Sequence, residues 1–265
     1  MHLEFEMNII KTKELTQSYI EKINNIVKSQ DEVKHLPLYF DFSDDRCTYY
    51  LCFENEELMS VIALFEIDID VYEAIAYTDP ANRCKGYFKA AYKYLCNDLD
   101  KDCDISFICE RNYSPAVKAA KNLSLTYECT ETMMELDLSS YNAEPVFDID
   151  IVREDDIYYI FQSDIEIGSF CFYTFTFNTD DIYFHSFNIY EEYQNKGLGK
   201  LSMTAILYYL KSLGKTKIHL QLLLENTPAY KIYKELGFII TSEISYYNRK
   251  APSSPCLFML KDKVK

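Results

Sequence analysis

The sequence is poor in the residues that break regular structure. Only 6 glycines, 7 prolines and no tryptophan stand among its 265 residues. The absence of tryptophan excludes nothing by itself. Apolar residues make up 48% of the chain, and this composition argues against intrinsic disorder, because disordered segments are short of apolar residues. The length suits one large domain or two of roughly 130 residues, each with its own core.

Basic residues are also in deficit, since 27 Lys and Arg face 42 Asp and Glu and leave a formal net charge of −15. A nucleic-acid partner is therefore not expected, because such binding relies on Lys and Arg at phosphates. The negative field would attract a cationic substrate such as an amine. The preferred interpretation is a charge that maintains solubility.

The sequence lacks three further features: an apolar run of membrane-spanning length, a basic and then apolar leader, and a C-x-x-C pair. Its nine cysteines are scattered, which favours buried, reduced thiols. We expect a soluble cytoplasmic protein without a metal site or a membrane partner, either a monomer or a homodimer.

Hydrophobic periodicity predicts an α/β fold with a mixed sheet and flanking helices. In the first half the predicted helices span 14–28, 86–99 and 115–123, and the strands span 49–53, 58–65, 71–77, 105–109 and 132–138. In the second half the helices span 200–213 and 228–236, the strands span 157–161, 166–177, 183–189 and 217–224, and Phe238 opens another strand. The polar residues 139–145 between the halves predict a linker.

The two halves share an internal repeat. At one constant offset, Pro115, Ala116, Lys118, Lys121 and Leu123 fall on Pro228, Ala229, Lys231, Lys234 and Leu236. At an offset shorter by two residues, Lys85-Gly86 falls on Lys196-Gly197. We therefore predict two copies of one unit, in domains 1–140 and 146–265. Chance matching of lysine-rich amphipathic helices is the alternative.

A glycine-containing loop at residues 194–199 joins a predicted strand to a predicted helix. The N–H groups at a helix N-terminus lack partners and the helix dipole is positive there, so the loop suits a pyrophosphate. Gly197 and Gly199 permit close backbone approach, and Lys196 and Lys200 add positive charge. Taken alone, the same loop is better explained as an ordinary tight turn.

A second motif makes the loop more specific. The sequence Gln194-Asn195-Lys196-Gly197-Leu198-Gly199 resembles the Q/R-x-x-G-x-G/A pattern of the GNAT acyltransferase superfamily. Asn226, Ala229, Tyr233, Gly237 and Phe238 fit its N-x-x-A-x-x-x-Y-x-x-x-G-F signature. The resemblance covers Ile157 to about Leu260 well and Tyr49 to Leu138 in degenerate form. It implies two tandem GNAT-like domains.

The resemblance further implies direct acetyl transfer from acetyl-CoA to a primary amine of a small molecule or protein. The backbone from Phe187 to Ile189 would hold the pantetheine arm, and residues Gln194 to Lys200 the pyrophosphate. Asn226 would bind polar cofactor groups, and Tyr233 would protonate the leaving thiolate as general acid. Tyr233 has the alternative role of packing its helix on the sheet.

The general base stays open. The position where many family members carry a glutamate is Gln221, which cannot accept a proton. The remaining candidates are His185, Glu191, Glu192, Glu225 and a water molecule. The short segment before Ile157 implies that the N-terminal domain supplies part of the acceptor wall. Residues 246–250, which resemble a hairpin connection, are the other acceptor-side candidate.

The N-terminal copy departs from the family pattern. Phe88 stands at the second glycine of the loop, Ala120 replaces the tyrosine, and Ser124-Leu125 replaces Gly237-Phe238. We expect no catalysis there and leave ligand binding open. An alternative for the whole protein is a non-catalytic acyl-CoA sensor or interaction protein. A nucleotide-binding module is disfavoured, since neither G-x-x-x-x-G-K-[ST] nor G-x-G-x-x-G is present.

Overall fold

The computed structural model describes residues 7–30, 45–99, 102–175 and 178–249. In chain order its elements are β1 (Asn8–Thr12), α1 (Gln17–Lys28), β2 (Cys47–Glu54), β3 (Glu57–Asp68), β4 (Val71–Thr78), α2 (Tyr87–Asp98), β5 (Asp104–Glu110), α3 (Ser114–Asn122), β6 (Thr126–Asp137), β7 (Asp150–Glu154), β8 (Ile157–Gln162), β9 (Ile165–Phe175), β10 (Asn178–Ile189), α4 (Leu198–Ser212), β11 (Lys217–Leu223), α5 (Thr227–Glu235) and β12 (Ile239–Arg249). The predicted mixture of sheet and flanking helices is confirmed. Strands β1 and β7 were not predicted.

The contacts divide the chain into two compact units. The first unit comprises Met1–Cys129 and Ile244–Lys265, and the second comprises Thr130–Glu243. Both boundaries fall inside strands, one in β6 and one in β12. The predicted linker at residues 139–145 lies inside the second unit, so the contacts divide the chain elsewhere than at the boundary predicted between 140 and 146.

The first unit is a sheet with helices on both faces. Its strands follow the order β1, β2, β3, β4, β5 and then residues 244–249 of β12. Helix α1 buries Ile23 and Ile26 on one face, whereas α2 and α3 pack on the other face around Tyr87, Ala91 and Ala120. Strands β4 and β5 are parallel, and the other pairs recorded for this unit are antiparallel.

The second unit has its own core. Strands β6, β11, β10, β9, β8 and β7 follow one another in the sheet. Helices α4 and α5 bury Met203, Ile206 and Tyr233 in one apolar cluster with Phe170 and Leu220 of the sheet. Because β strands alternate their side chains, Gln221 points to the opposite face from Leu220 and Leu222.

One strand has a different partner from the one that its place in the sequence suggests. Residues 132–138 were predicted to close the N-terminal copy, but β6 pairs with β11 in the second unit, where Thr132 lies opposite Leu222. Strand β12 instead pairs with β5 in the first unit, where Tyr247 lies opposite Phe107. Periodicity gives the buried face of a strand and leaves its partner undetermined.

Residues 246–249 are not a hairpin connection, as the sequence suggested, but belong to β12, and Tyr246, Tyr247 and Asn248 are buried. Lys250 lies outside the described residues. No disulfide joins the eight cysteines within the described ranges. Among the helices of those ranges, none is long and apolar enough to cross a membrane.

Candidate functional site

The second unit has a cleft where two parallel strands separate. The pairing of β10 with β11 extends only from Asp181 to Phe184, opposite Lys217 to Leu220. Beyond this point β10 is irregular, because its register with β9 shifts between His185 and Asn188. Ser186 adopts a φ of 55° within that shift. The irregular stretch carries Phe187 and Ile189, which were predicted to hold the pantetheine arm.

A glycine on the neighbouring strand permits this irregular backbone. A Cβ atom added to Gly168 would lie 2.3 Å from the carbonyl oxygen of Asn188, far inside a van der Waals contact. Only glycine avoids that clash. Phe187 is half-buried with its ring 5.9 Å from that of Phe184, and Ile189 is buried.

The glycine loop meets the N-terminus of α4. Asn195 and Gly197 have φ values of 59° and 79°, and Gly197 is the N-cap without a side-chain cap. The helix begins at Leu198, two residues before the predicted Lys200. Its first N–H groups therefore have no capping side chain, and such groups favour an anion.

The loop side chains have several partners within the protein. Gln194 Nε2 donates to the carbonyl oxygen of Ile189 at 2.8 Å. Lys200 Nζ lies 2.8 Å from Glu235 Oε2, so this carboxylate offsets its charge. Lys196 Nζ lies 5.5 Å from the ring centroid of Tyr193. Within the described ranges, no carboxylate lies within ion-pair distance of Lys196. Its charge, unlike that of Lys200, is therefore not offset.

Two further loop residues contribute to packing. Leu198 is buried in the core. A Cβ atom added to Gly199 would lie 3.2 Å from Ile232 Cδ1, so the small residue lets the first turn of α4 approach α5. Gly199 thus has a packing role besides its predicted role beside a phosphate.

Asn226 is the N-cap of α5. Its Oδ1 atom accepts a hydrogen bond from the backbone N–H of Ala229 at 3.3 Å. This bond explains the asparagine in local terms, since asparagine is among the preferred N-cap residues. The cap uses only the carboxamide oxygen.

Tyr233 lies in the core of the second unit and is 6% exposed. Its ring centroid is 5.3 Å from that of Phe238. Burial raises the pKa of the Tyr233 phenol well above its usual value. Tyr233 therefore makes the contacts expected if its role is to pack its helix on the sheet. Its hydroxyl is protonated near neutral pH, as a general acid requires.

The carboxylate of Glu131 lies beside Gln221, the position where many family members carry a glutamate. Tyr183 donates its hydroxyl to Gln221 Oε1 at 3.1 Å, and Gln221 Nε2 donates to the carboxylate of Glu131. Glu131 comes from β6 and is 6% exposed. Sequence reasoning missed Glu131 because it assigned β6 to the other copy. A glutamate inside an otherwise buried strand was the available signal.

The other candidate bases differ in their surroundings. His185 Nδ1 lies 3.0 Å from Ser186 Oγ, and burial lowers the pKa of the imidazole below its usual value. Its ring is 5.8 Å from Tyr173, which stacks on Tyr183 at 5.1 Å. Glu191, Glu192 and Glu225 are exposed. Within the described ranges, no cluster of His, Cys, Asp and Glu could hold a metal ion.

Comparison with known proteins agrees with the geometry. Residues 125–238 match the family model described as "Acetyltransferase (GNAT) family". Residues 125–238, less than half of the 265-residue chain, therefore carry a GNAT-family domain. The matched range and the second unit share residues 130–238, so both place β6 with the C-terminal part of the chain.

Solved GNAT structures share the fold of this chain. A GCN5-related N-acetyltransferase from Sphaerobacter thermophilus has a TM-score of 0.64 at 9% identity, covering 94% of this chain and 98% of the other. A tandem GNAT protein from the clavulanic acid biosynthesis pathway has a TM-score of 0.59 at 11% identity, covering 94% and 100%.

A curated relative matches part of the chain. It is the spermine/spermidine N(1)-acetyltransferase of Bacillus subtilis (strain 168), which is 34% identical over 70 residues. These residues are 26% of this chain and 46% of the relative. The match thus spans less than half of the relative's length.

Proposed function

We propose that the second unit transfers an acetyl group from acetyl-CoA to a primary amine. The observation that carries this proposal is the separation of β10 from β11 beside the uncapped N-terminus of α4. A separated strand offers backbone groups to an extended ligand arm, and the helix N-terminus offers N–H groups to a phosphate.

The cofactor would lie along β10 with its pyrophosphate at the loop. The backbone from Phe187 to Ile189 would pair with the pantetheine amides. Residues Asn195 to Gly199 would contact the pyrophosphate, with Lys196 as the available cation, while Gln194 holds Ile189 in place. The amide nitrogen of Asn226 is the donor left for the cofactor once Oδ1 caps α5.

The chemistry needs one proton acceptor and one proton donor. The neutral amine nitrogen attacks the thioester carbon, and the tetrahedral intermediate collapses with cleavage of the carbon–sulfur bond. The amine proton passes to a carboxylate, and the Tyr233 hydroxyl protonates the leaving thiolate. The Tyr233 phenol is protonated near neutral pH and can donate a proton, and burial raises its pKa, which makes it a weaker acid than a free tyrosine.

We assign the proton acceptor to Glu131, which accepts a hydrogen bond from Gln221. Gln221 positions the carboxylate and cannot itself accept the proton. Tyr183, which donates to Gln221, stacks on Tyr173. Aromatic faces of this kind attract cations. Together with the match to the Bacillus relative, these groups support an aliphatic polyamine as the acceptor class.

The test is a thiol-release assay with acetyl-CoA and an amine panel, together with calorimetric titration of CoA. We expect turnover with aliphatic di- and polyamines and little with aromatic amines. Binding of CoA without turnover on any amine would overturn the enzyme proposal. It would favour an acyl-CoA sensor, the alternative supported by glutamine at position 221.

A further inference from the structure

The first unit contains a cavity of about 530 Å³. The parallel pairing of β4 with β5 ends where Ala74 lies opposite Phe107. The cavity lies next to this separation and is lined by Ala76, Cys109 and one face of α3. Its volume is within the range of about 300–1,000 Å³ that small-molecule sites occupy.

Small side chains on α3 leave this space open. The sequence repeat places Ala120 at the position of Tyr233, so a buried tyrosine in one copy is a methyl group in the other. Ala116 and Ala119 line the cavity beside Ala120, and Phe107 and Leu125 complete an apolar interior. The cavity therefore offers an apolar surface to the apolar part of a ligand.

The charged side chains that line the cavity are all basic: Arg83, Lys89 and Lys118. This is a local reversal in a chain with a net charge of −15. Lys89 and Lys118 are exposed, whereas Arg83 is half-buried. Basic side chains beside an apolar cavity attract an anion and raise its local concentration there.

Arg83 has neutral partners within the unit. Its Nη2 donates to Gln30 Oε1 at 2.6 Å and also to the Tyr113 hydroxyl. The Tyr113 hydroxyl in turn donates to Gln30 Oε1 at 3.0 Å. In the described part of the chain, no carboxylate lies within ion-pair distance of Arg83. Within the described residues, the half-buried positive charge is thus oriented by neutral partners only, as an anion site requires.

We propose that this cavity binds a small molecule with an apolar body and one carboxylate. The carboxylate contacts Arg83, and the body lies among Ala116, Ala120 and Phe107. Coenzyme A is not the ligand we propose for this cavity, because the bulky Phe88 lines it at the position where the loop of the second unit has Gly199. The site does not transfer groups, since Ala120 provides no hydroxyl.

The first experiment is calorimetric titration of the full chain with dodecanoate and 4-phenylbutyrate, which distinguish an aliphatic from an aromatic body. We expect at least one to bind about 10-fold more tightly than the uncharged analogue dodecan-1-ol or 4-phenylbutan-1-ol. Saturating CoA leaves this binding unchanged. Equal binding of acid and alcohol, or displacement by CoA, would overturn the proposal.

The second experiment uses variants of the cavity. Arg83→Gln keeps a hydrogen-bonding side chain without the charge, and Ala116→Phe fills the space from the partly exposed turn of α3. Each should weaken carboxylate binding about 10-fold, whereas Arg83→Lys, which keeps the charge but loses the planar guanidinium, should weaken it less than Arg83→Gln does. Lys93→Gln, on an exposed position of α2 away from the cavity, is the matched control.

Thermal unfolding of each variant checks that the fold is intact. Unchanged carboxylate affinity in both Arg83→Gln and Ala116→Phe contradicts the assignment. These outcomes do not depend on acetyl transfer, which uses residues of the second unit. If the protein failed the thiol-release assay, the measured carboxylate affinities would still support or contradict the proposal for this cavity.

Discussion

At the scale of single residues, Tyr233 has the packing role that the sequence offered as one alternative, and its role as general acid stays a prediction. It packs against Phe238 in the core, and burial raises the pKa of its hydroxyl. The sequence motif placed this tyrosine on a helix after the second strand of the cleft. Only the packing shows that the ring is buried, and burial is the physical cause of the altered acidity.

Replacing Tyr233 with phenylalanine should lower kcat about 100-fold while the affinity for CoA changes little, because the ring is kept and only the proton donor is lost. Steady-state kinetics and calorimetry measure the two quantities. Tyr208→Phe, at an exposed tyrosine of α4, is the matched control. An unchanged kcat in Tyr233→Phe would remove the acid role.

Replacing Glu131 with glutamine should lower kcat about 10- to 100-fold, since the proton acceptor is gone. Restoring a carboxylate nearby, in the double variant Glu131→Gln with Gln221→Glu, should recover part of the rate. Full activity of Glu131→Gln at every pH would show that another base or water takes the proton.

The half-buried imidazole of His185 makes the free energy of unfolding depend on pH. Its pKa is lower in the folded than in the unfolded chain, so the unfolded state binds more protons below about pH 6.5. Stability therefore falls as the pH decreases through this range. His185→Gln should give a smaller difference in Tm between about pH 7.5 and pH 5.5, measured by circular dichroism. An identical difference in both proteins would contradict this.

At the scale of elements, the irregular part of β10 depends on its neighbour. The sequence predicted strands at 166–177 and 183–189 but not the register shift between them. Gly168 permits the register shift because it has no side chain to meet the backbone of β10. A glycine inside a predicted strand is a signal for such close backbone approach, although it does not give the residue that approaches.

Gly168→Ala and Gly199→Ala test this element in parallel. The Cβ atom at position 168 would meet a backbone oxygen at 2.3 Å, whereas the one at 199 would meet a side-chain methyl at 3.2 Å. We expect Gly168→Ala to destabilise the fold by about 1–3 kcal/mol and to weaken CoA binding. Gly199→Ala should change stability by less than about 1 kcal/mol. Equal losses would mean that the clash at Gly168 does not govern β10.

At the scale of the whole molecule, each unit needs a strand from the other half of the sequence. The first unit contains residues 244–249 of β12, including the core residue Tyr247. The second contains most of β6, including Met134 and Leu136 of its core. The two units therefore do not coincide with consecutive stretches of the sequence.

Fragments cut at the predicted linker test this arrangement. Residues 1–140 alone and residues 142–265 alone should each lack a cooperative unfolding transition, because each loses a core strand. The full chain with a protease site inserted beside Glu144 is the control, and after cleavage its two parts should unfold together. A cooperative transition in either isolated fragment, near the Tm of the full chain, would contradict the strand assignment.

The sequence by itself determined the local features: the helices and most strands, the repeat, and the two motifs that place a glycine loop before α4 and a tyrosine on α5. These follow from periodicity and spacing, which act over a few residues. Only the tertiary structure decided which strand pairs with which, and therefore that Glu131 lies beside Gln221 and that Ala120 leaves a cavity lined by cations. Such neighbours are distant in the sequence, and the energy that joins them comes from packing and hydrogen bonds that no local pattern records.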